Sequence, residues 1–343
     1  MAKENLKKAV LWDAAEDNKV SCKLCNHRCR IDDGKAGFCF VRKNIGGVLY
    51  SLTYDKVCSA NPDPIEKKPL YHFQPGTRSF SIATMGCNFR CEFCQNWQIS
   101  QAIIEDGQIE GQAISPEQIV SAAVRGGCES IAYTYTEPTV FMELCNDCGR
   151  LGKERGLANV FVSNGYETRE AIDFAKVWLD GINVDLKSFS DDYYKRLCKA
   201  RLQPVLDTIS YIANETNIWL EITTLLIPEE NDSEDELKEL ADFIVSKAGA
   251  DVPWHISRFI PQYKYLDSRP TPVGSLERAY DIGKEAGLHY VYLGNVPGSK
   301  AESTFCYNCG KLLIERVGYR IGENNIADCC CPDCGVKIAG FEL

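Results

Sequence analysis

The stretch that decides the fold is Gly86-Cys87-Asn88-Phe89-Arg90-Cys91-Glu92-Phe93-Cys94-Gln95-Asn96, which places three cysteines at C-x3-C-x2-C spacing. A short β-like run, Ser79–Thr84, leads into it. Structural zinc sites and cubane iron–sulfur clusters each normally take four protein ligands. Three close thiolates with no evident local fourth indicate a four-iron cluster with one iron left open. The loop is therefore a candidate reaction centre.

Short β-branched or aromatic runs alternate with longer helical patterns between residues 78 and 294. The predicted strands are Ser79–Thr84, Ser130–Tyr135, Asn159–Ser163, Ile182–Leu186, Ile218–Leu225, Trp254–Arg258 and Tyr290–Leu293. Capping boxes that start at Ser115 and Ser233 predict helices between the strands. This alternation predicts a parallel sheet covered by helices.

Polar residues cluster where the predicted strands end. They are the cysteine loop, Thr136-Glu137, Ser163-Asn164, Asp185 with Lys187, and Arg258. In a barrel-like fold these positions share the face on which active sites are built. The sequence therefore predicts an α/β fold with a full or partial (β/α) barrel at 76–298. A cysteine-rich N-terminal module at 1–75 and a cysteine-rich C-terminal module at 299–343 flank it.

Composition limits the classes of function. The chain has 343 residues, 45% of them hydrophobic, and a formal net charge of −10, which weighs against nucleic acid as a partner. Residues 1–60 hold eleven Lys or Arg and seven Asp or Glu, so they carry +4 and the remainder carries −14. We interpret the basic start as a solvated surface, with a docking face for an acidic electron donor as the alternative.

The sequence also predicts a cytoplasmic protein that does not enter a membrane. The apolar run Ala9-Val10-Leu11-Trp12 is too short for a signal peptide, and no run approaches the roughly 18 apolar residues of a membrane span. In a reducing compartment, eighteen cysteines indicate metal or cluster ligation rather than disulfides.

The central motif, with Phe93 just before its third cysteine, resembles that of the radical S-adenosylmethionine superfamily. The resemblance implies a partial barrel of the radical SAM type and a 4Fe–4S cluster on Cys87, Cys91 and Cys94. It also implies that S-adenosylmethionine binds the open iron and is reductively cleaved to a 5′-deoxyadenosyl radical, which abstracts hydrogen from a substrate. A low-potential electron donor of the flavodoxin or ferredoxin type would be needed. Phe93 would pack against the adenine. The alternative is a zinc site with a distant fourth ligand.

Further cofactor contacts follow from a resemblance to the glycyl-radical-enzyme activases. Asn96 matches a cofactor-contacting asparagine, and Ser163 matches a hydroxyl residue after the third strand. Asp185-Leu186-Lys187 resembles their Asp-x-Lys motif, and His255 lies near the place of a histidine that approaches the adenosine. An ordinary salt bridge and a buried core histidine are the alternatives for these last two positions.

One motif departs from the superfamily pattern. The Gly-Gly-Glu motif that receives the cofactor amino group reads Tyr135-Thr136-Glu137 here. Because both glycines are replaced, we expect the amino group to meet Thr136 Oγ or Glu137.

A closer resemblance runs from about Cys22 to the C-terminus, to the radical enzyme of the AmmeMemoRadiSam system. It rests on the strings Cys22–Cys29, Asp63–Leu70, Cys94–Ser100 and Thr134–Thr139, and within that family the Thr-Glu-Pro-Thr string is normal. It implies a Memo-type or Ammecr-type partner. The alternatives are a glycyl-radical-enzyme activase that acts on a protein glycine, a non-catalytic metal-binding adaptor and, more distantly, an RNA-modifying enzyme.

Two further cysteine groups flank the central one. Cys306-x2-Cys309 and Cys331-x2-Cys334, each followed by glycine, predict a zinc ribbon, with a second iron–sulfur cluster as the rival. Cys331 is preferred to its neighbours Cys329 and Cys330 because only Cys331 completes the spacing.

The N-terminal group has looser spacing. It reads Cys22-x2-Cys25-x3-Cys29-x9-Cys39 and predicts either zinc or an auxiliary cluster, with His27 as a nearby non-ligand.

Overall fold

The computed structural model describes residues 6–343, except the side chains of residues 105 and 106, and the chain divides into two compact units. The first comprises residues 1–63, 78–180 and 197–200, and the second comprises 64–77, 181–196 and 201–343. The first five residues of the predicted N-terminal module lie outside the described residues. The predicted boundaries after residues 75 and 298 stay a prediction.

The first unit is built on a sheet whose central strands are parallel. The strands of the whole first unit are β1 (Lys7–Lys8), β2 (Trp12–Ala14), β3 (Val20–Cys22), β4 (Arg30–Ile31), β5 (Arg42–Asn44), β6 (Leu49–Ser51), β7 (Lys56–Pro64), β8 (Arg78–Thr84), β9 (Gln112–Ala113), β10 (Ser130–Tyr133) and β11 (Ala158–Ser163). In the main sheet of this unit the strand order is β9-β7-β8-β10-β11, and β10 is parallel to both β8 and β11. The N-terminal segment forms two small antiparallel sheets, β1-β6-β5 and β2-β3-β4.

Helices of the first unit follow its strands. They are α1 (Trp97–Ser100), α2 (Ala102–Asp106), α3 (Pro116–Arg125), α4 (Met142–Glu154) and α5 (Arg169–Ala175), with a 3-10 turn at Pro138–Phe141. The capping box predicted for α3 is confirmed, since Ser115 Oγ accepts from the Gln118 amide and Gln118 Oε1 accepts from the Ser115 amide.

The second unit repeats the parallel pattern. Its strands are β12 (Gly181–Asp185), β13 (Trp219–Leu226), β14 (Trp254–Arg258), β15 (Val291–Gly294), β16 (Thr304–Phe305), β17 (Leu312–Val317) and β18 (Arg320–Asn324). Its helices are α6 (Asp191–Tyr193), α7 (Leu202–Glu215), α8 (Glu234–Phe243) and α9 (Val273–Glu285), with 3-10 turns at Ile65–Lys67 and Lys300–Glu302. Strands β12 to β15 pair in sequence order, all parallel. The chain also has π-helical turns at Tyr194–Cys198 and Ile244–Ala248.

The α/β class with parallel strands is therefore confirmed, and each predicted strand lies within one or two residues of an observed one. The largest shift is at β10, which ends at Tyr133 rather than Tyr135. Tyr135 has a φ of 67°, which leaves the extended region and ends the strand.

The capping box predicted for α8 is only half formed. Ser233 Oγ caps α8 by accepting from the Glu236 amide, as the sequence predicts. The Glu236 carboxylate, however, accepts hydrogen bonds from the Ser188 hydroxyl and the Phe189 amide. A tertiary contact thus takes the side chain that the capping box would have used.

The C-terminal module is a small antiparallel sheet, β16-β17-β18, that shares a core with β15. Leu313 and Ile314 of β17 are buried together with Tyr290, Tyr292 and Ile338. The cysteine-rich C-terminal module predicted from the sequence is therefore present and is anchored to its unit by apolar packing. No helix among residues 6–343 is long and apolar enough to cross a lipid bilayer.

Candidate functional site

The cysteine loop leaves the carboxyl end of β8 through a crowded glycine. Gly86 has a φ of 101°, and a Cβ placed there would lie 2.6 Å from Val41 Cγ1 and 3.3 Å from the Cys39 carbonyl oxygen. Any side chain at residue 86 would push the loop away from the N-terminal segment. The glycine therefore allows close packing between the two groups of cysteines.

The loop is fastened by its own arginine. Arg90 Nη1 donates to the carbonyls of Cys87 at 2.8 Å and Phe89 at 2.7 Å. The Arg90 amide donates to the Cys198 carbonyl at 2.9 Å. These bonds hold the loop backbone in one conformation, so the three cysteines start from fixed positions.

The sulfur atoms of the loop have hydrogen-bond donors beside them. Cys87 Sγ accepts from the Phe89 amide at 3.3 Å and from Asn164 Nδ2 at 3.9 Å, and Cys94 Sγ lies 3.2 Å from Ser100 Oγ. Donors of this kind stabilise sulfur that carries negative charge. Burial raises the pKa of the Cys87 thiol most, and the charge of Glu137 raises it further. Bound metal would therefore be needed to hold this thiol as a thiolate.

The three thiols are fewer than the four protein ligands that a structural zinc site normally takes. Among the described residues, the group of thiols that converges within 4.8 Å is the C-terminal one. Three thiolates on one loop are a donor set that suits an iron–sulfur cluster.

The end of β10 is tied to the loop and to β8. Asn96 Nδ2 donates to the Tyr135 carbonyl at 2.9 Å, and Thr136 Oγ1 donates to the Thr84 carbonyl at 2.8 Å. Tyr135 adopts the positive φ that glycine favours, and its hydroxyl bonds Asp63. The backbone at residue 135 therefore has a conformation that glycine favours, although the residue is a tyrosine. The predicted contact of Thr136 with a cofactor stays a prediction.

Two buried carboxyl groups lie on either side of Ser163. Its Oγ is 3.0 Å from Glu137 Oε1 and 2.5 Å from Glu167 Oε1. Glu137 also accepts from the Thr139 amide at 3.0 Å and the Asn164 amide at 2.9 Å. Burial and the charge of Glu167 raise the pKa of Glu137 to about 8. The pair therefore retains a proton at neutral pH.

Asn164 joins this carboxyl pair to the cysteine loop. Its Nδ2 donates to Asn88 Oδ1 at 2.7 Å, while its amide donates to Glu137. The first unit thus brings together the cysteine trio, Asn96, Glu137 and Ser163 as predicted neighbours. Phe93 is also buried in this unit, and its contact with an adenine stays a prediction.

Sequence reasoning missed two members of this arrangement, Asn88 and Glu167. Asn88 lies inside the motif at a position that the motif leaves free. Glu167 lies four residues after Ser163, in the short link before α5, where an acidic residue gives no signal of burial. The contact that brings each of them into this arrangement is tertiary.

The remaining predicted cofactor residues lie in the second unit. Lys187 Nζ is 2.7 Å from Asp185 Oδ2, so these two form an ion pair. His255 is buried, and its Nε2 is 2.6 Å from Glu221 Oε2. Glu221 also accepts from the His72 amide at 2.8 Å. The proposed cofactor contacts of Asp185, Lys187 and His255 stay predictions.

The C-terminal thiols converge on one point. The Sγ atoms of Cys306, Cys309, Cys331 and Cys334 all lie within 4.8 Å of one another. The Cys306–Cys334 and Cys309–Cys331 Sγ separations are both 3.6 Å, close to the tetrahedral edge of about 3.8 Å for thiolates on zinc.

The two C-terminal turns have the same backbone geometry. Gly310 and Gly335 have φ values of 74° and 72°, and each donates its amide to the carbonyl of the first cysteine of its pair at 2.9 Å. Glycine adopts this left-handed backbone without steric cost, so both turns can fold back on their first cysteine.

The N-terminal thiols instead surround a cavity. Cys22, Cys25, Cys29 and Cys39 all line one small pocket of about 20 Å³. Among the described residues they do not converge within 4.8 Å as the C-terminal thiols do. A second cavity, of about 470 Å³, opens beside Met85 and Ile99, at the base of the cysteine loop.

Comparison with known proteins agrees with this site. The model of the Radical SAM superfamily matches residues 81–244. Uncharacterized protein MJ0808 of Methanocaldococcus jannaschii is 45% identical over 335 residues, which cover 97% of this chain and 99% of that protein. A candidate glycyl-radical enzyme activating enzyme of the same organism, MJ1632, is 27% identical over 222 residues, 63% of this chain and 78% of its own. GTP 3′,8-cyclase of Limosilactobacillus fermentum is 24% identical over 254 residues, 68% of this chain and 74% of its own.

The matched segment begins in β8, just before the cysteine loop, and contains both Glu137 and Ser163. The relation to MJ0808 extends over nearly the whole chain, including both flanking cysteine groups. On this evidence, the chain belongs to the radical SAM superfamily.

Proposed function

We propose that this protein binds a 4Fe–4S cluster through Cys87, Cys91 and Cys94 and reductively cleaves S-adenosylmethionine to start hydrogen abstraction from a substrate. The observation that carries the proposal is the cysteine loop itself. Its three thiols lie on one loop fixed at the end of β8, and polar groups lie beside the sulfur atoms of Cys87 and Cys94. When bound, the cluster supplies one low-potential electron to the sulfonium, whose C5′–S bond then breaks.

The chain's own residues prepare this end of the unit for a cationic cofactor. Asn96 holds the Tyr135 carbonyl in place, and Glu137 is held by donors from Thr139 and Asn164. A cofactor ammonium beside the Glu137–Glu167 pair would favour the charged form of both carboxyls and release their retained proton. Before the cofactor binds, Ser163 lies between the two carboxyls and can pass the retained proton from one to the other.

Cluster loading tests the ligand assignment. After anaerobic reconstitution, Cys91→Ala should hold about four irons fewer than the parent protein. Cys128→Ala is a matched control, because Cys128 is a buried thiol of the same unit outside the loop. Equal iron content in Cys91→Ala and the parent would contradict the assignment.

A second candidate is activation of a glycyl-radical enzyme, where the substrate is a backbone glycine. The similarity to MJ1632, which covers 78% of that protein, favours it. Incubation with S-adenosylmethionine, a low-potential reductant and a candidate glycyl-radical enzyme should then give a glycine-centred electron paramagnetic resonance (EPR) signal. A signal that never forms, while S-adenosylmethionine is still cleaved, would favour a small-molecule or Memo-linked substrate.

We further propose that the C-terminal thiols bind one zinc ion. The two 3.6 Å Sγ separations support this, as does the full convergence of all four thiols. Cys306 and Cys331 are buried in the core that also holds Tyr290 and Tyr292, so this ion would stabilise the module rather than react.

A further inference from the structure

Glu221 is a buried carboxylate of β13 that accepts hydrogen bonds from several sides. His255 Nε2 lies 2.6 Å from its Oε2, and Trp219 Nε1 donates to its Oε1 at 3.0 Å. The backbone amides of Tyr71 and His72 donate to it at 3.0 Å and 2.8 Å. Burial acts to raise the pKa of Glu221, but the bond with His255 outweighs burial, and the pKa lies below its ordinary value. Glu221 is therefore an anion at neutral pH and holds a proton on His255 Nε2.

The ring of His255 lies on the face of the sheet that also carries Asp185. Thr223 is in register with both residues on the neighbouring strands, so all three side chains share one face. No residue that the structure describes bonds the second ring nitrogen of His255, Nδ1. Because Glu221 occupies Nε2, Nδ1 is the nitrogen that can meet a ligand on this face.

The C-terminal module holds the two residues whose amides bond Glu221. Arg316 Nη2 donates to the Tyr71 carbonyl at 2.7 Å, and the guanidinium lies 4.4 Å from the centre of the Tyr71 ring. The Phe341 amide donates to the His72 carbonyl at 2.7 Å. Both peptide groups are thus bonded to Glu221 through their N–H and to the module through their carbonyl oxygen.

The His72 side chain adds a second link to the module. Burial lowers the pKa of His72 to about 4, so its ring is neutral at pH 7. Because Nδ1 lies 2.7 Å from the Ala339 carbonyl, it carries the ring proton, and Nε2 accepts from the Tyr292 hydroxyl at 2.6 Å. Tyr292 Oη lies 2.8 Å from Thr304 Oγ1, which accepts from Arg316 Nη1 at 2.6 Å. From Arg316 to His72 each group donates to the next, so one arrangement of protons satisfies the whole chain.

The zinc site proposed for the module lies in the same core. Cys306 and Cys331 are buried together with Tyr71 and Tyr292. A metal ion that joins the two cysteine pairs would stabilise the fold of this core. It would therefore also hold the residues that bond Tyr71 in one arrangement.

We propose that the C-terminal module is a positioning element for His255 and that Glu221 is the positioning residue between them. The module fixes the Tyr71–His72 segment, that segment fixes the Glu221 carboxylate, and Glu221 holds the His255 ring with Nδ1 available to a ligand. The contact with a ligand rests on the function proposed above, whereas the orientation of the ring does not.

Nuclear magnetic resonance of the full-length protein labelled with [15N]histidine tests the orientation without any need for activity. The chain has four histidines, so the Nε2–H signal of His255 can be assigned by substitution. We expect this proton to exchange with solvent slowly in the zinc-loaded parent and about tenfold faster or more in Cys306→Ser/Cys309→Ser. Gly149→Ala is the control for general destabilisation, because a side chain there would press on a tryptophan of the first unit. Equal exchange in the parent and the double variant, or an equal rise in Gly149→Ala, would overturn the proposal.

A milder change covers the case in which the double variant fails to fold. Arg316→Lys keeps the positive charge and all four thiols, but one amine cannot bond both Thr304 and the Tyr71 carbonyl. The exchange of the His255 Nε2 proton should therefore rise in this variant too. An unchanged rate would overturn the link from the module to His255.

A charge substitution tests the step from Glu221 to His255. Glu221→Gln keeps the shape of the side chain but removes the charge that holds the Nε2 proton, so exchange should again rise by about tenfold or more. Asp251→Asn is the matched control, since that carboxylate lies 2.8 Å from Nδ1 of His289, which is outside the network. Equal responses of the His255 signal to both substitutions would contradict positioning through Glu221.

Turnover tests the contact with a ligand. In Cys306→Ser/Cys309→Ser with the parent's iron content, dithionite-driven formation of 5′-deoxyadenosine should fall by about tenfold to a hundredfold. An unchanged rate in a variant whose His255 proton exchanges faster would overturn the role toward the ligand. If the parent protein forms no 5′-deoxyadenosine, the proposed function fails, while the exchange measurements still decide whether the module positions His255.

Discussion

At Ser163, one hydroxyl lies between two buried carboxyl groups, and this arrangement has a consequence for stability. Burial and Glu167 raise the pKa of Glu137 from 4.5 to about 8, so the folded chain holds a proton that the unfolded chain releases. Because the folded state binds more protons between these pH values, stability falls as pH rises from about 4.5 to about 8.

We expect Glu167→Gln to weaken that pH dependence. The change removes the neighbouring charge, so the pKa of Glu137 falls, and each unit of that fall returns about 1.4 kcal/mol of stability at pH 8. Urea unfolding of the parent and the variant at pH 5 and pH 8 measures this. The difference between the two pH values should be smaller in the variant.

Glu170→Gln is the matched control for this prediction. Glu170 is a glutamate three residues away whose side-chain pairing with Arg28 lowers its pKa to about 2. Its contribution is lost only as pH falls below the ordinary glutamate range, so between pH 5 and pH 8 the slope should match the parent. An equal change of slope in both variants would contradict the assignment to the buried pair.

Residue types in motifs were predictable from the sequence, but tertiary partners were not. Cys87, Cys91, Cys94, Glu137 and Ser163 follow from spacing and from positions at strand ends. Glu167 does not, because its burial depends on a bridge with Cys25, which lies 142 positions earlier. Nor does the sequence indicate that Tyr135 would adopt a backbone angle that usually belongs to glycine.

At the scale of elements, helix α4 contains a glycine that its packing requires. A Cβ at Gly149 would lie 2.5 Å from Cε3 of the buried Trp178 ring. We expect Gly149→Ala to lower the free energy of unfolding by about 1–3 kcal/mol, despite the better helix propensity of alanine.

Gly274 in α9 is the matched comparison, because a Cβ there would meet no atom within 4 Å. We expect Gly274→Ala to raise the free energy of unfolding by about 0.4–1 kcal/mol. Denaturant unfolding of both variants checks the pair. Equal effects of the two substitutions would show that propensity rather than the Trp178 contact decides.

The C-terminal module gives a prediction about metal. Cys306→Ser/Cys309→Ser should lose zinc and keep its iron, because the thiols it removes match the tetrahedral geometry of one ion. Elemental analysis of the variant and the parent measures both metals. Loss of iron from this variant would overturn the zinc assignment.

Strands and helix starts were predicted well where the signal comes from residues that are close together in the sequence. The seven strands and the α3 capping box needed only neighbouring residues. The α8 box was predicted in full and is half formed, because Ser188 and Phe189, distant in sequence, take the Glu236 carboxylate.

At the scale of the whole molecule, the order of the cysteine groups is visible in the sequence, but the geometry that distinguishes them is not. Each group contains a C-x2-C pair, but only the folded arrangement shows that the C-terminal Sγ atoms all lie within 4.8 Å of one another and that the N-terminal thiols line one pocket. The contact from His27 to Asn88 spans 61 positions, which no local pattern encodes.

We propose that the loop at Cys87–Cys94 supports cleavage of S-adenosylmethionine. Formation of 5′-deoxyadenosine tests this proposal directly. Anaerobically reconstituted protein is mixed with dithionite and S-adenosylmethionine, and the nucleoside is quantified by liquid chromatography. We expect 5′-deoxyadenosine from the parent protein and from Cys128→Ala, and none from Cys91→Ala. Product formed equally by Cys91→Ala, or no product from a parent protein that carries its full complement of iron, would contradict it.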